Sequence, residues 1–215
     1  MIIGFATCQA VLILLVMNCT PIPPGYREWV GQHRLRFDEI ENELKTDSLN
    51  YKLLAEQGAI LNEVAMFEKA LPKLIKSINI NSNYKEAYVN IGNSYRGLEK
   101  YDSSFKSFEN ALRIDSSYGL AYFNLGALYW DIGEEVKAIE FTKKAITKDP
   151  SINQGYYNLA CFYSIKNKKE SAIVFLRDAI EKGFGDCLII KNDKDLENIR
   201  DEDGFIKILS DLNCN

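Results

Sequence analysis

Side chains that usually carry catalysis are few in this chain and poorly spaced for it. The only histidine, His33, has no second ligand or nucleophile near it in sequence, so a histidine-based triad or a multi-histidine metal site is not expected. It reads instead as a solvent-facing or capping side chain. Beyond the leader, Cys161, Cys187 and Cys214 form no C-x-x-C pair and show no ligand spacing. They read as free or buried thiols; the alternative, open to an exported chain, pairs Cys187 with Cys214 and ties the tail down. Asp193, Asp195, Asp201 and Asp203 suggest calcium, but the glycine and terminal glutamate of a calcium loop are missing. Acidic groups at two successive helix N-termini account for them. No Gly-rich phosphate loop, G-x-S-x-G or H-E-x-x-H is present. No catalytic residue, metal site or cofactor is therefore expected, and the chain is read as a non-enzyme.

Composition narrows the partners. The 215 residues are 47% hydrophobic and 26% charged, a globular balance. Lys and Arg number 26 against 30 Asp and Glu, giving a net charge of -4 without a basic run, so nucleic acid is not an expected partner.

The N-terminus stands apart. No charged side chain precedes Arg27, and Ala10 to Met17 is continuously apolar, shorter than the roughly 20 residues a membrane span needs. Cys19 closes this run and Thr20-Pro21-Ile22-Pro23-Pro24-Gly25 follows. The segment resembles a bacterial lipoprotein signal, in which such a cysteine is lipidated, although Met17 and Asn18 replace the usual small residues. On that reading residues 1–18 are a signal, Cys19 is the lipidation site and 19–25 are a stiff proline-rich tether. Localisation would be the bacterial cell envelope, with membrane contact only through the lipid or anchor. A cleaved or uncleaved plain signal, or a start codon placed too early, would leave a secreted, signal-anchored or cytoplasmic protein.

The rest of the chain repeats. Gly58, Gly92, Gly126 and Ala160 lie 34 residues apart, as do Ala70, Ser104, Ala138 and Ala172. Tyr88, Tyr122 and Tyr156 keep the step, as do Tyr95, Tyr129 and Tyr163. Four units follow without insertion: 51–84, 85–118, 119–152 and 153–186. Within each, apolar residues recur at helical spacing in two bursts, such as Tyr88-Ile91-Tyr95 and Phe105-Phe108-Leu112, and Gly97 to Asp102 supply a turn and a candidate helix cap between them. Gly92 and Ser104 are small where the two helices must approach. A hairpin of this kind cannot bury both faces alone, so it stacks on its neighbours.

The pattern resembles the tetratricopeptide repeat. Unit 119–152 carries Tyr122, Leu125-Gly126, Tyr129, Ala138, Ala145 and Pro150, departing only at Thr142. Unit 85–118 has Ser116 for the proline, and unit 153–186 has Ala160 for the glycine and ends at Gly183-Phe184-Gly185. Unit 51–84 is weakest: Leu61 replaces the tyrosine, and Pro72 implies a second helix that starts late, near Leu71. The resemblance implies an all-α fold, a right-handed superhelical solenoid of four hairpins. Residues 26–50, with the stripe Trp29, Val30, Phe37, Ile40 and Leu44, would cap its first end. Residues 187–215 resemble a tail that often closes such proteins: a loop, a short helix around 195–199 and a last helix around 203–212. Leu196, Ile199, Phe205, Ile206 and Leu209 would seal the last hairpin.

The resemblance also implies a function. The first helix of each unit would line a groove that takes an extended peptide or a helix. The 34-residue step places Asn90, Asn124 and Asn158 there, with Phe123 and Tyr157 beside them, then Asn93, then Arg96 and Trp130. Aromatic anchors among hydrogen-bonding groups suit a binding surface. Phe123 and Tyr157 have the other reading of packing against the next hairpin. A clamp for a terminal carboxylate is not implied, because Val89, Gln154 and Asn158 stand where its cations would be needed. The expected function is a non-catalytic scaffold for a protein or peptide partner. A self-associating homo-oligomer and an accessory subunit of an envelope enzyme are the alternatives.

Overall fold

The computed structural model describes residues 24–214, with side chains from residue 31 onward. The proposed signal, Cys19 and most of the tether lie outside the described residues, as do the side chains of Trp29 and Val30. Among the described residues the protein is all-helical, built of consecutive helical hairpins without a strand. They fall into two compact units, residues 24–116 and 117–214.

The first unit holds α1 (Pro24–Thr46), α2 (Tyr51–Glu63), α3 (Phe67–Ile80), α4 (Lys85–Gly97) and α5 (Tyr101–Ile114). The amphipathic stripe of α1 packs as its spacing requires: Ile40 is wholly buried and Phe37 leans on the core of Ala55, Leu61, Ala70, Leu74, Ala87 and Ile91. Charge assists. The Arg36 guanidinium grips Glu56 through Nε at 2.6 Å and Nη2 at 3.0 Å, and reaches Glu39 and Glu43. These carboxylates, Glu56 foremost, hold Arg36 still more firmly protonated than usual. His33 faces Glu63 across the same α1–α2 contact.

The second unit holds α6 (Gly119–Asp131), α7 (Glu135–Lys148), α8 (Asn153–Ile165), α9 (Lys169–Glu181), α10 (Cys187–Asn192), a 3-10 helix (Lys194–Ile199) and α11 (Asp203–Asp211). One core gathers Tyr157, Ala160 and Cys161 of α8, Ala172, Leu176 and Ala179 of α9, and Ile190, Leu196, Ile199, Phe205 and Ile208 of the terminal segment.

The turns repeat as faithfully as the helices. Ala65, Glu99, Gly133 and Asn167, 34 residues apart, all take positive φ, at 58°, 57°, 80° and 53°. After each, a backbone N–H closes the helix end: Met66 onto Leu61, Lys100 onto Tyr95, Glu134 onto Tyr129 and Lys168 onto Tyr163, all at 2.8 Å. This is the left-handed helix stop, for which glycine or asparagine suits best. Only Gly133 and Asn167 obey that preference; Ala65 and Glu99 take the same conformation against it. The small-residue contact is equally physical, since the Ser104 hydroxyl donates to the Gly92 carbonyl at 2.8 Å.

Four expectations change. The α3 helix starts at Phe67 rather than near Leu71, with Pro72 inside it. Wholly buried Ala70 and Leu74 pin the helix on either side, while Pro72 itself is exposed on the outer face. The second helix of unit 85–118 starts at Tyr101, with Lys100 at the N-cap position making no side-chain cap bond, and Asp102 lies in its first turn rather than capping it. Residues 187–192 form a helix rather than a loop, because Asp186 accepts the Ile189 N–H at 3.0 Å and caps it. Finally, Cys187 and Cys214 are bonded, with Cα atoms 5.5 Å apart, and only Cys161 remains as a free buried thiol among the described residues.

Candidate binding surface

In the first unit the first helices of two hairpins, α2 and α4, are joined through an amide. Asn62 donates from Nδ2 to the Asn90 carbonyl at 2.8 Å, and its Oδ1 accepts the Ser94 hydroxyl at 2.6 Å. That hydroxyl also lies 3.0 Å from the Asn90 carbonyl. The bond fixes the backbone that presents Asn90, Asn93 and Arg96, all three half-buried. Asn93 Oδ1 is buried without a hydrogen-bond partner, an acceptor that costs free energy until something donates to it. Sequence reasoning missed Asn62 and Ser94: Asn62 stands one 34-residue step before Arg96 and Trp130, a signal that could have found it, whereas Ser94 stands where the next unit has Leu128, and only the neighbouring hairpin makes sense of it.

In the second unit the candidates divide. Trp130 is half-buried, its ring stacked on Phe162 with centroids 4.5 Å apart. Phe123 and Asn124 are 5% and 4% exposed, and Asn124 Nδ2 is spent on its own helix, donating to the Leu120 carbonyl at 2.7 Å. Tyr157 and Asn158 are each 1% exposed. Tyr157 lies beneath the terminal segment: Phe184 stacks on its ring at 4.2 Å, and its hydroxyl donates to Asp193 Oδ2 at 2.7 Å. The structure thus leaves Asn90, Asn93, Arg96 and Trp130 partly open and places Phe123, Asn124, Tyr157 and Asn158 inside.

Asp193 is the hub of that covered region. Its Oδ1 caps the 3-10 helix through the Asp195 N–H at 3.0 Å, and Oδ2 also takes a long bond from the Cys161 thiol at 3.7 Å. Arg200 donates to the Asp193 carbonyl at 2.9 Å. Burial drives the Tyr157 phenol far above its usual range, with Cys161 and Asp193 adding to the effect, and burial likewise drives the Cys161 thiol up. Both groups stay protonated at neutral pH and serve as donors. Cys161, Asp193 and Asp195 bring a thiol and two carboxylates within 4.8 Å of one another, and Asp193 spends both its oxygens on protein donors. The chemistry of this cluster is that of a brace between α8 and the terminal segment. The sequence gives little sign of it, since Tyr157 and Asp193 lie 36 residues apart.

Comparison with known proteins agrees with this geometry. Residues 92–133 match a TPR repeat model, and residues 120–152 and 154–181 match a tetratricopeptide repeat model. No curated protein matches the chain. Among solved structures, a thermophilic TPR protein of Thermus thermophilus superposes with a TM-score of 0.66 at 16% identity, covering 85% of this chain and 93% of that one. MamA superposes at 0.54 with 23% identity, covering 76% of this chain and 96% of its own. YrrB, described as a TPR protein with an unusual peptide-binding site, superposes at 0.51 with 17% identity over 80% of this chain and 90% of its own. At these identities the likeness is one of fold. The repeats matched in this chain are tetratricopeptide repeats, and the fold is that of tetratricopeptide proteins.

Proposed function

We propose that the protein is a non-catalytic scaffold that holds a peptide or protein segment against the first helices of its repeats. The observation that carries this reading is the half-open set Asn90, Asn93 and Arg96 on a backbone fixed by the Asn62–Ser94 bridge. An extended peptide offers backbone N–H and C=O groups suited to such amides, and Arg96 adds a guanidinium. Trp130 supplies a broad aromatic face in the other unit. That YrrB is described as having a peptide-binding site lends the reading support by analogy of fold. Phe123, Asn124, Tyr157 and Asn158 lie inside the second unit, where they set its own first helices.

The proposed setting is a bacterial cell envelope, with Cys19 lipidated and the prolines after it lifting the repeats off the membrane. Labelling the native host with a clickable palmitate tests this part alone: label lost on Cys19→Ala supports it, and unlabelled wild type removes it. The binding reading is tested by affinity capture from the host. The triple variant Asn93→Ala, Arg96→Ala, Trp130→Ala is expected to lose partners that wild type retains while its helical circular dichroism is unchanged. Capture undiminished in that variant overturns the reading.

A further inference from the structure

A second surface, in residues 117–214, has a different chemistry. The α7 helix carries Lys137, Lys143, Lys144 and Lys148 against Glu135 and Glu140, a positive balance in a chain whose net charge is -4. Two of the six are already satisfied: Lys137 pairs with Glu134, and Glu135 takes Lys166. Lys143, Lys144 and Lys168 have no carboxylate within ion-pair distance among the described residues, and Glu140 is left over on the other side.

What these lysines rest on is aromatic. Lys144 Nζ lies 4.3 Å from the Tyr122 ring centre and 5.9 Å from that of Phe141. Lys143 and Lys168, from α7 and from the turn before α9, share one ring, at 5.4 Å and 5.8 Å from the centre of Tyr163. The rings form a platform that repeats with the 34-residue step: Tyr129 against Phe141 at 4.9 Å, then Tyr163 against Phe175 at 5.4 Å. A ring face attracts an ammonium but leaves its three N–H donors without conventional acceptors. The platform also limits how far each long side chain can roam, so less side-chain entropy is lost when an anion binds.

We propose that this face, bearing Lys143, Lys144 and Lys168 on Tyr122, Phe141 and Tyr163, docks an acidic peptide segment of a partner protein, and that it does so independently of the first-helix surface. The occupant follows from charge. Three cations without carboxylates, one over Tyr122 and Phe141 and two over Tyr163, complement a segment carrying several carboxylates.

The full-chain protein should be titrated against a fluorescein-labelled decaglutamate at low and at high salt, following anisotropy. Wild type is expected to bind with an affinity that falls as salt rises. The triple variant Lys143→Gln, Lys144→Gln, Lys168→Gln should bind at least ten-fold more weakly, while Lys69→Gln, Lys73→Gln, Lys76→Gln on α3 binds as wild type does. The variant Asn93→Ala, Arg96→Ala, Trp130→Ala should also bind as wild type does; loss there would assign the carboxylates to the first-helix surface and overturn the proposal. No binding by wild type, or equal losses in the two lysine variants, would likewise overturn it. Sedimentation velocity gives the remaining arm. Low-salt self-association that the Lys143, Lys144 and Lys168 variant abolishes would make the occupant a second copy, through its acidic stretch at 38–43, and would overturn the assignment to a partner.

Discussion

Tyr157 shows how a single residue can read one way in sequence and act another way in the fold. Its place in the 34-residue step makes it a candidate for the groove, yet its ring lies under Phe184 and its hydroxyl is committed to Asp193. Tyr157→Phe removes that donor from a buried carboxylate and is expected to cost about 1–3 kcal/mol in urea unfolding. The pH dependence has a definite sign. Because burial raises the folded-state value, the native phenol keeps a proton that the unfolded chain releases above about pH 10. Stability should therefore fall as pH climbs past the ordinary tyrosine range, and more shallowly in Tyr157→Phe. Equal alkaline slopes in the two proteins would argue against the brace. The sequence displays Tyr157, Cys161 and Asp193 plainly, but the bonds among them depend on where the terminal segment lands, which no periodicity encodes. The open residues Asn90, Asn93, Arg96 and Trp130 were legible because they follow the repeat.

At the scale of the element, the helices and their close contacts were largely readable, since each rests on local spacing. Gly126 is one such contact: a Cβ there would meet Thr142 Oγ1 at 2.5 Å and the Thr142 backbone nitrogen at 3.0 Å. Gly126→Leu is expected to cost about 1–3 kcal/mol and to lower the melting temperature, because backbone on the facing helix must move. What local spacing could not show is the strain in the turns. Glu99 holds a left-handed conformation at φ 57° that an L side chain resists, whereas Gly133 holds it freely. Glu99→Gly should therefore stabilise the protein by about 1 kcal/mol; a loss of stability would mean that the side chain, not the turn, matters there. The start of α3 departs from the local expectation for the opposite reason. Local rules disfavour Pro72 inside a helix, and the packing of Ala70 and Leu74 overrides them. The helix at 187–192 escaped notice because six residues offer too little periodicity to read, and its cap at Asp186 became meaningful only with the chain in place.

At the scale of the molecule, the hairpins give two compact units, and the second is closed by a terminal segment fastened at both a buried brace and a disulfide. The bond between Cys187 and Cys214 spans 27 residues, and in the chain-entropy picture closing such a loop stabilises by about 3.5 kcal/mol. Cys214→Ser should lower the urea midpoint by a corresponding amount, and a reductant should shift wild type to the same midpoint. A reductant-insensitive wild type would show the thiols unpaired in solution.

The proposed capture of partners on the first helices of the repeats, at Arg96 and Trp130, can be read directly by site-specific photo-crosslinking in the native host. A photoreactive residue at position 96 or 130 should give a discrete covalent adduct of higher mass, whereas one at Leu49, which is 65% exposed and belongs to neither proposed surface, should give none. Adducts at 49 equal to those at 96 and 130, or none at 96 and 130 in cells that make the protein, would contradict this reading.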